Sequence, residues 1–88
     1  MRGLLARFTA SLVGRSSDLQ RALLEANLEE ISSLAHQLKG TAGGYGYDSI
    51  SNAAATLEDV SMDLEADIAF VRERTEDLIR LCNAATDR

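Results

Sequence analysis

The sequence contains no proline and no tryptophan, and β-branched residues are few, whereas alanine and leucine are abundant. Proline breaks helices, and alanine and leucine are among the strongest helix formers. This composition favours an all-α protein. The 88 residues, of which 45% are hydrophobic and 26% charged, suffice for one folded domain with a modest core and are too few for a large enclosed active site.

Cysteine and histidine each occur once, as Cys82 and His36. One cysteine excludes an intramolecular disulfide, and a metal site normally needs three or four protein ligands. We therefore expect the chain to hold no metal and no cofactor of its own. Cys82 lies on an apolar helical stripe, which predicts a buried, inert thiol and is consistent with a cytoplasmic protein.

Basic residues and long apolar runs are also scarce. The chain has 9 Lys and Arg against 14 Asp and Glu, a net charge of −5, whereas nucleic-acid binders usually carry a basic surface. No run approaches the roughly 18 apolar residues that span a bilayer. Residues 1–17 carry arginines and no acid, as leader peptides do, but Arg7 interrupts the apolar run. We interpret this segment as part of the first helix.

The first predicted helix has a weak point in its middle. Apolar residues recur there at helical spacing, at Leu5, Phe8, Leu12, Leu19, Leu23 and Ala26. The segment Gly14-Arg15-Ser16-Ser17 weakens this pattern. It predicts a kink near Gly14 or a break into two helices, the second capped by Ser17.

Polar and glycine residues predict the next helix boundaries. Asn27 opens a capping-box pattern, so a second helix should start at about Leu28. It should end near Gly44 or Gly46, because glycine readily adopts the left-handed conformation that closes helices. Asp48 should be the N-cap of a third helix. The polar region 61–67 should contain the turn before a fourth.

Each of the last three predicted helices has an apolar face. These faces comprise Ile31, Leu34, Ala35, Leu38, Ala42 and Tyr45 on the second helix, Ile50, Ala53, Ala54, Leu57, Val60 and Leu64 on the third, and Ile68, Val71, Leu78, Cys82 and Ala85 on the fourth. Four amphipathic helices with short links predict an antiparallel up-down-up-down four-helix bundle, with residues 1–88 as one domain.

The stretch from Ala35 to Gly46 holds the single histidine and four of the six glycines. A glycine inside a helix costs roughly 0.5–1 kcal/mol relative to alanine. A small domain has only about 5–15 kcal/mol of net stability, so this cost needs a reason. The composition of the stretch predicts that the glycines clear space around a reactive imidazole.

His36 is predicted to lie on the flank of its helix, about 160° around the axis from Leu34 and from Leu38. Its neighbours one or two turns away are small or cationic: Ser32, Ser33, Lys39, Gly40 and Gly43. A serine hydrolase built on these serines would need an oxyanion site that a small bundle without pocket-forming loops does not offer. Nucleophilic chemistry by the imidazole itself needs only an orienting group and a group that holds charge.

Glu58 is the candidate orienting group. His36 precedes Tyr47 by 11 residues and Glu58 follows it by 11, so the two lie at similar height if the helices on either side of Tyr47 run antiparallel. A carboxylate that accepts the Nδ1 hydrogen would leave Nε2 unprotonated. Equal height does not establish that the side chains face each other, and a solvated Glu58 remains the alternative.

One stretch resembles the signature of histidine-containing phosphotransfer (HPt) domains: His36-Gln-Leu-Lys39-Gly40-Thr-Ala42, with Gly46 ten residues after the histidine. The resemblance extends over the whole chain, with four helices and the histidine on the second. It implies a phosphocarrier that relays phosphoryl groups between aspartates of receiver domains in multistep two-component signalling.

By position, the resemblance makes His36 the phospho-acceptor through Nε2, Lys39 the group that stabilises phosphoryl charge and Glu58 the group that holds Nδ1. Glutamine is frequent at the last position in the family. The implied docking surface for a receiver comprises Gly40, Gly43, Ser32 and Ser33, and Gly46 closes the helical hairpin. Mg²⁺ is expected on the receiver, and without a nucleotide loop the chain should not phosphorylate itself from ATP.

The expected partners are response-regulator receiver domains and a hybrid sensor histidine kinase, with no nucleic acid and no membrane. The start at Met1 and the end at Arg88 favour a free-standing protein, and we expect a monomer. Two alternatives stay open: a non-catalytic bundle that binds a receiver or kinase without carrying phosphate, and a purely structural bundle.

Overall fold

The computed structural model describes residues 2–63 and 65–86. Its four helices are α1 (Arg2–Leu24), α2 (Leu28–Gly44), α3 (Asp48–Met62) and α4 (Ile68–Thr86), and these described ranges contain no strand. They form the predicted antiparallel up-down-up-down bundle. The α2–α3 pair has the most extensive packing, followed by α1–α4, and the α3–α4 and α1–α2 contacts close the bundle.

The core consists of one apolar stripe from each helix, largely as predicted. The residues that are buried from solvent are Phe8, Leu12, Leu19, Ala22, Ile31, Leu34, Ala35, Leu38, Ala42, Ile50, Ala54, Leu57, Val71, Leu78, Ile79 and Cys82. Ala53, Val60 and Ala85 are partly buried against it. The predicted positions of Leu5 and Leu64 concern side chains outside the described part of the chain.

Three residues assigned to apolar stripes lie at the surface instead. Ala26 is exposed and follows the end of α1. Tyr45 is 36% exposed and Ile68 is 41% exposed. Both stand at helix ends, where the bundle offers fewer neighbours; Tyr45 is the C-cap residue of α2, and its ring stacks on Phe8 with centroids 4.7 Å apart. Thr75, which the apolar pattern omitted, is fully buried and satisfies its hydroxyl by donating to the carbonyl of Val71.

The predicted break of the first helix into two is wrong, because α1 continues for 23 residues through Gly14 and Ser17. Leu12 and Leu19, on either side of the weak segment, are both fully buried. Ser16 is also buried, and its hydroxyl donates to the amide oxygen of Asn83 on α4 at 3.3 Å. Packing against α4 therefore outweighs the low helix propensity of glycine and serine.

The boundaries of α2 agree with prediction at both ends. The side chain of Asn27 accepts a hydrogen bond from the backbone N–H of Glu30 at 3.1 Å, directly before Leu28. At the other end Gly46 has a φ of +82°. The N–H of Tyr47 donates to the carbonyl of Ala42, and that of Gly46 to Gly43. This is the Schellman arrangement, which favours glycine at the left-handed position.

The N-cap of α3 is Tyr47 rather than Asp48, which corrects the prediction by one position. Tyr47 has no side-chain capping bond; its carbonyl accepts the N–H of Ser51, and its ring packs on Phe8. The turn closes at Gly46, and Tyr47, the one residue between Gly46 and Asp48, occupies the N-cap position. Asp48 is consequently the first helical residue, where its negative charge still favours the positive end of the helix dipole.

Candidate functional site

The helical hairpin of α2 and α3 brings His36 and Glu58 together. Residues 45–47 form the connection between the two helices, so positions equally far from Tyr47 face each other across the pair. Nδ1 of His36 lies 2.9 Å from Oε2 of Glu58. The histidine side chain is 68% exposed and that of Glu58 only 15%, so the imidazole stands out from the bundle on a largely covered carboxylate.

The charge on Glu58 determines which nitrogen of His36 carries the proton. The pKa of Glu58 is lowered, chiefly by the hydrogen bond from Lys39; burial opposes this effect, and the hydrogen bond from His36 adds to it. An ionised carboxylate can only accept, so Nδ1 is the donor in this contact. In the neutral ring Nε2 then keeps its lone pair, on the side of the imidazole away from Glu58.

Lys39 completes a chain of three side chains. Its Nζ lies 2.6 Å from Oε1 of Glu58, while Oε2 accepts from His36. The lysine side chain is 38% exposed. It is the single lysine of the sequence and lies one turn after His36 on α2. Each carboxylate oxygen therefore has its own cationic or N–H donor.

Ser51 and Gly43 fix the spacing of the two helices beside this chain. The Ser51 hydroxyl on α3 donates to the backbone carbonyl of Lys39 on α2 at 2.9 Å. A Cβ atom at Gly43 would lie 3.3 Å from the same hydroxyl oxygen, closer than ordinary van der Waals contact. The side of Gly43 that a side chain would occupy thus faces α3, which gives this glycine a packing role beside the docking role predicted for it.

Gly40 has open space where Gly43 has a neighbour. It is exposed, and apart from its chain neighbours and the adjacent backbone of α2, no described atom would lie within 4 Å of a Cβ at this position. The same is true of Gly44, for which the structure shows no specific requirement. The open side of Gly40 fits the clearing predicted around His36.

Ser32 and Ser33 line a groove between α2 and α3 that ends at His36 and Glu58; its other lining residues are Leu28, Glu29, Ser61 and Met62. Leu28 is 37% exposed and Met62 is 65% exposed. Sequence reasoning missed both as part of the site. The helical spacing could have indicated both residues, because Met62 follows Glu58 by one turn and Leu28 precedes Ser32 by one turn.

Residues 2–63 and 65–86 contain no cluster of three or more histidine, cysteine, aspartate and glutamate residues placed to hold a metal ion. They also contain no helix with the length and hydropathy that crossing a membrane requires.

The structure is thus a small antiparallel bundle that presents an exposed imidazole bound to a carboxylate. The family model described as "Hpt domain" matches residues 3–85, nearly the whole chain, and the protein belongs to this family. No curated protein and no solved structure matches the chain at a significant level. Membership indicates histidine phosphotransfer in two-component signalling, as a carrier that interacts with receiver domains and kinases.

Proposed function

We propose that this protein relays a phosphoryl group from the aspartate of one receiver domain to that of another, through Nε2 of His36. The observation that carries the proposal is the contact between Nδ1 of His36 and Oε2 of Glu58 at 2.9 Å, on a ring that is 68% exposed. The contact sets the tautomer that a nucleophile needs, and the exposure lets a large partner reach the opposite nitrogen.

In the proposed step, the Nε2 lone pair attacks the phosphorus of a receiver aspartyl phosphate in line with the leaving oxygen. The N–P bond forms as the P–O bond breaks, and the receiver regains its carboxylate. The ring keeps its Nδ1 proton and becomes a phosphoimidazolium, whose positive charge Glu58 offsets. The reverse step, attack by another receiver's carboxylate, restores the neutral ring. Positioning and charge supply most of the stabilisation.

The remaining sequence-based roles belong to the same proposal. Lys39 offsets phosphoryl charge, while Gly40, Gly43, Ser32 and Ser33 contribute to the docking surface, and Gly46 closes the hairpin. Mg²⁺ belongs to the receiver, and the chain itself does not use ATP as a phosphoryl donor, since its sequence has no nucleotide-binding loop. A hybrid sensor kinase and response regulators are the proposed partners of a cytoplasmic monomer.

The test is incubation of the protein with a ³²P-labelled phosphorylated receiver, followed by acid treatment of the product. We expect acid-labile label on the parent protein and none on His36→Gln. A matched control exchanges His36 and Gln37, which preserves composition but turns the imidazole by about 100° around α2 and away from Glu58. This variant should also stay unlabelled.

Label on His36→Gln, or no label on the parent protein from any receiver of the source organism, contradicts the proposal. The second result, combined with tight receiver binding, would identify the non-catalytic binding module instead. Circular dichroism of each variant establishes that the helices are intact.

A further inference from the structure

We infer that Arg15 on α1 is a docking residue for the receiver, and that its guanidinium binds a carboxylate on the rim of the receiver's active site. This inference rests on the proposed function of His36 and deepens it, because it adds a recognition residue outside the α2–α3 hairpin. Arg15 takes no part in the transfer of the phosphoryl group itself.

Arg15 lies where α1 packs against α2. Its Nη1 donates to Oε1 of Gln37 at 3.3 Å, in an exposed contact. Gln37 directly follows His36, and adjacent residues of a helix point about 100° apart. The guanidinium is therefore at the α1 edge of the exposed face of α2, whereas Lys39 is at the other edge and pairs with Glu58 on α3. Arg15 borders the site without reaching Nε2 of the histidine.

The charge of Arg15 has no carboxylate beside it in the described part of the chain. Among residues 2–63 and 65–86, no Asp or Glu forms an ion pair with Arg15, and its Nε is buried without a hydrogen-bond partner. Arg74, which is half-buried like Arg15, pairs with Asp77 on its own helix at 2.9 Å. A half-buried cation loses part of its hydration, and a carboxylate replaces the lost interactions. The surroundings of Arg15 thus favour an anion from another molecule.

A receiver that docks over His36 covers Arg15 as well. A standard protein interface covers about 800 Å² of each partner, which is a disc of about 16 Å radius, and the axes of packed helices lie about 8–10 Å apart. The approaching face is acidic, because it holds an aspartyl phosphate and the carboxylates that bind Mg²⁺. Since this chain has a net charge of −5, a cation within the interface offsets the repulsion between the partners.

The first test measures steady-state phosphotransfer at varied receiver concentration. Arg15→Met should raise KM for the receiver about fivefold, at the strong end of partly exposed ion pairs, and leave kcat unchanged, because a rim contact is the same in the ground state and the transition state. Arg15→Gln, a second neutral variant, should match it. The control is Arg72→Met, which removes the same charge from an exposed residue of α4, the helix diagonally opposite α2. This variant should keep the parent KM.

The second test identifies the contact and needs no phosphoryl group. Isothermal titration calorimetry with the unphosphorylated receiver should show the same fivefold loss of affinity from Arg15→Met in the parent and in His36→Gln. Arg15→Glu should bind more weakly still, because like charges then meet. Lysine substitution of the acidic residues around the receiver's active site, one at a time, should reveal one receiver variant that restores binding to Arg15→Glu.

An unchanged KM and affinity in Arg15→Met, an equal loss in Arg72→Met, or a loss confined to kcat overturns the inference, and so does the absence of any restoring receiver variant. Receiver binding that depends on Arg15 without any labelling of His36 would leave the inference standing and contradict the proposed function. Circular dichroism establishes that the helices of each variant are intact.

Discussion

Gly40 and Gly44 form a matched pair on α2, because at neither position would a Cβ atom lie within 4 Å of any described atom outside its own helix turn. Alanine at either position should raise the free energy of unfolding by roughly 0.5–1 kcal/mol, since alanine is the better helix former. This corresponds to a few degrees, about 2–8 °C, in melting temperature for a domain of this size.

The two substitutions should differ in their effect on phosphotransfer. Gly40→Ala adds a methyl group beside His36 and should slow transfer from a receiver several-fold, whereas Gly44→Ala should leave the rate unchanged. Parallel thermal melts and transfer assays make the comparison. Equal transfer rates for Gly40→Ala and the parent protein would remove Gly40 from the docking surface.

Gly43 and Ser51 should be energetically coupled. An alanine Cβ at Gly43 would lie 3.3 Å from the Ser51 hydroxyl oxygen and 4.0 Å from the Ser51 Cβ. The hydroxyl must turn away and lose its bond to the Lys39 carbonyl, which costs about 0.5–1.5 kcal/mol and cancels the helix gain. In a Ser51→Ala background only the ordinary contact remains, so Gly43→Ala should stabilise that protein by roughly 0.5–1 kcal/mol.

Urea denaturation of the four proteins in this cycle measures the coupling. The same change in unfolding free energy from Gly43→Ala in both backgrounds would show that the hydroxyl does not limit the space at position 43.

Sequence reasoning placed Glu58 at the same height as His36, because in a helical hairpin height follows from the number of residues to the turn. The structure adds that the two side chains face each other. It did not find the role of Ser51, which depends on how closely α2 and α3 approach. That distance is a result of packing and has no periodic signature. The packing role of Gly43 has the same origin, since the sequence does not state which neighbour fills the space that a glycine leaves.

At the end of helix α1, Ala26 adopts a left-handed backbone conformation that suits glycine better. It closes α1 with a φ of 52°, and the N–H of Asn27 donates to Ala22 while that of Ala26 donates to Leu23. This is the same arrangement that Gly46 closes on α2. The left-handed region costs a residue with a Cβ roughly 1–2 kcal/mol, and glycine loses part of that advantage through its greater unfolded-state entropy.

Ala26→Gly should therefore stabilise the protein by about 0.5–1 kcal/mol, and Gly46→Ala should destabilise it by about 1 kcal/mol. Chemical denaturation of both variants against the parent protein checks the signs. Loss of stability in Ala26→Gly would contradict the assigned closure of α1.

The continuity of α1 depends on tertiary packing, which the local sequence pattern does not reveal. Gly14 and the two serines after it lower helix propensity, and a local argument predicts an interruption. The opposing term is tertiary: Leu12 and Leu19 are both fully buried in the shared core. Continuing the helix keeps both in register with α4, and tertiary packing regularly overrides a propensity difference of this size.

The buried thiol of Cys82 makes the stability of the whole protein depend on pH in the alkaline range. Desolvation raises its pKa from 9.0 to about 11, and the charge of Arg15 opposes that shift. Since the folded-state pKa is the higher one, the stability from the neutral thiol is fully present below pH 9 and is lost as the pH rises through 11. Two pKa units correspond to about 2–3 kcal/mol.

The free energy of unfolding should thus fall more steeply between pH 9 and 11 in the parent protein than in Cys82→Ala, in which the other ionising groups are unchanged. Urea denaturation at several pH values gives both slopes. Parallel curves, offset only by the cavity that alanine leaves, would show that the thiol does not contribute.

The overall architecture was predictable because four amphipathic segments with short links have few ways to bury their apolar faces. Three of the residues that prediction misplaced lie where helices end or meet: Tyr45 and Ile68 at the ends, Thr75 in the core. Thr75 reads as polar in sequence, but its hydroxyl returns to its own helix backbone. A polar residue that satisfies itself locally can be buried at little cost.

The chemical groups of the candidate site all belong to the single hairpin of α2 and α3, whereas α1 and α4 contribute the other half of the core. For protein engineering, this division makes the two halves separable design problems. Helices α1 and α4 can be redesigned for solubility, thermal resistance or attachment to a surface, provided that Arg15 is kept and that their apolar faces still fit the shared core. The hairpin, by contrast, is a compact unit for transplantation: a different pair of supporting helices that reproduces the α2–α3 spacing would inherit the histidine with its carboxylate and lysine in place.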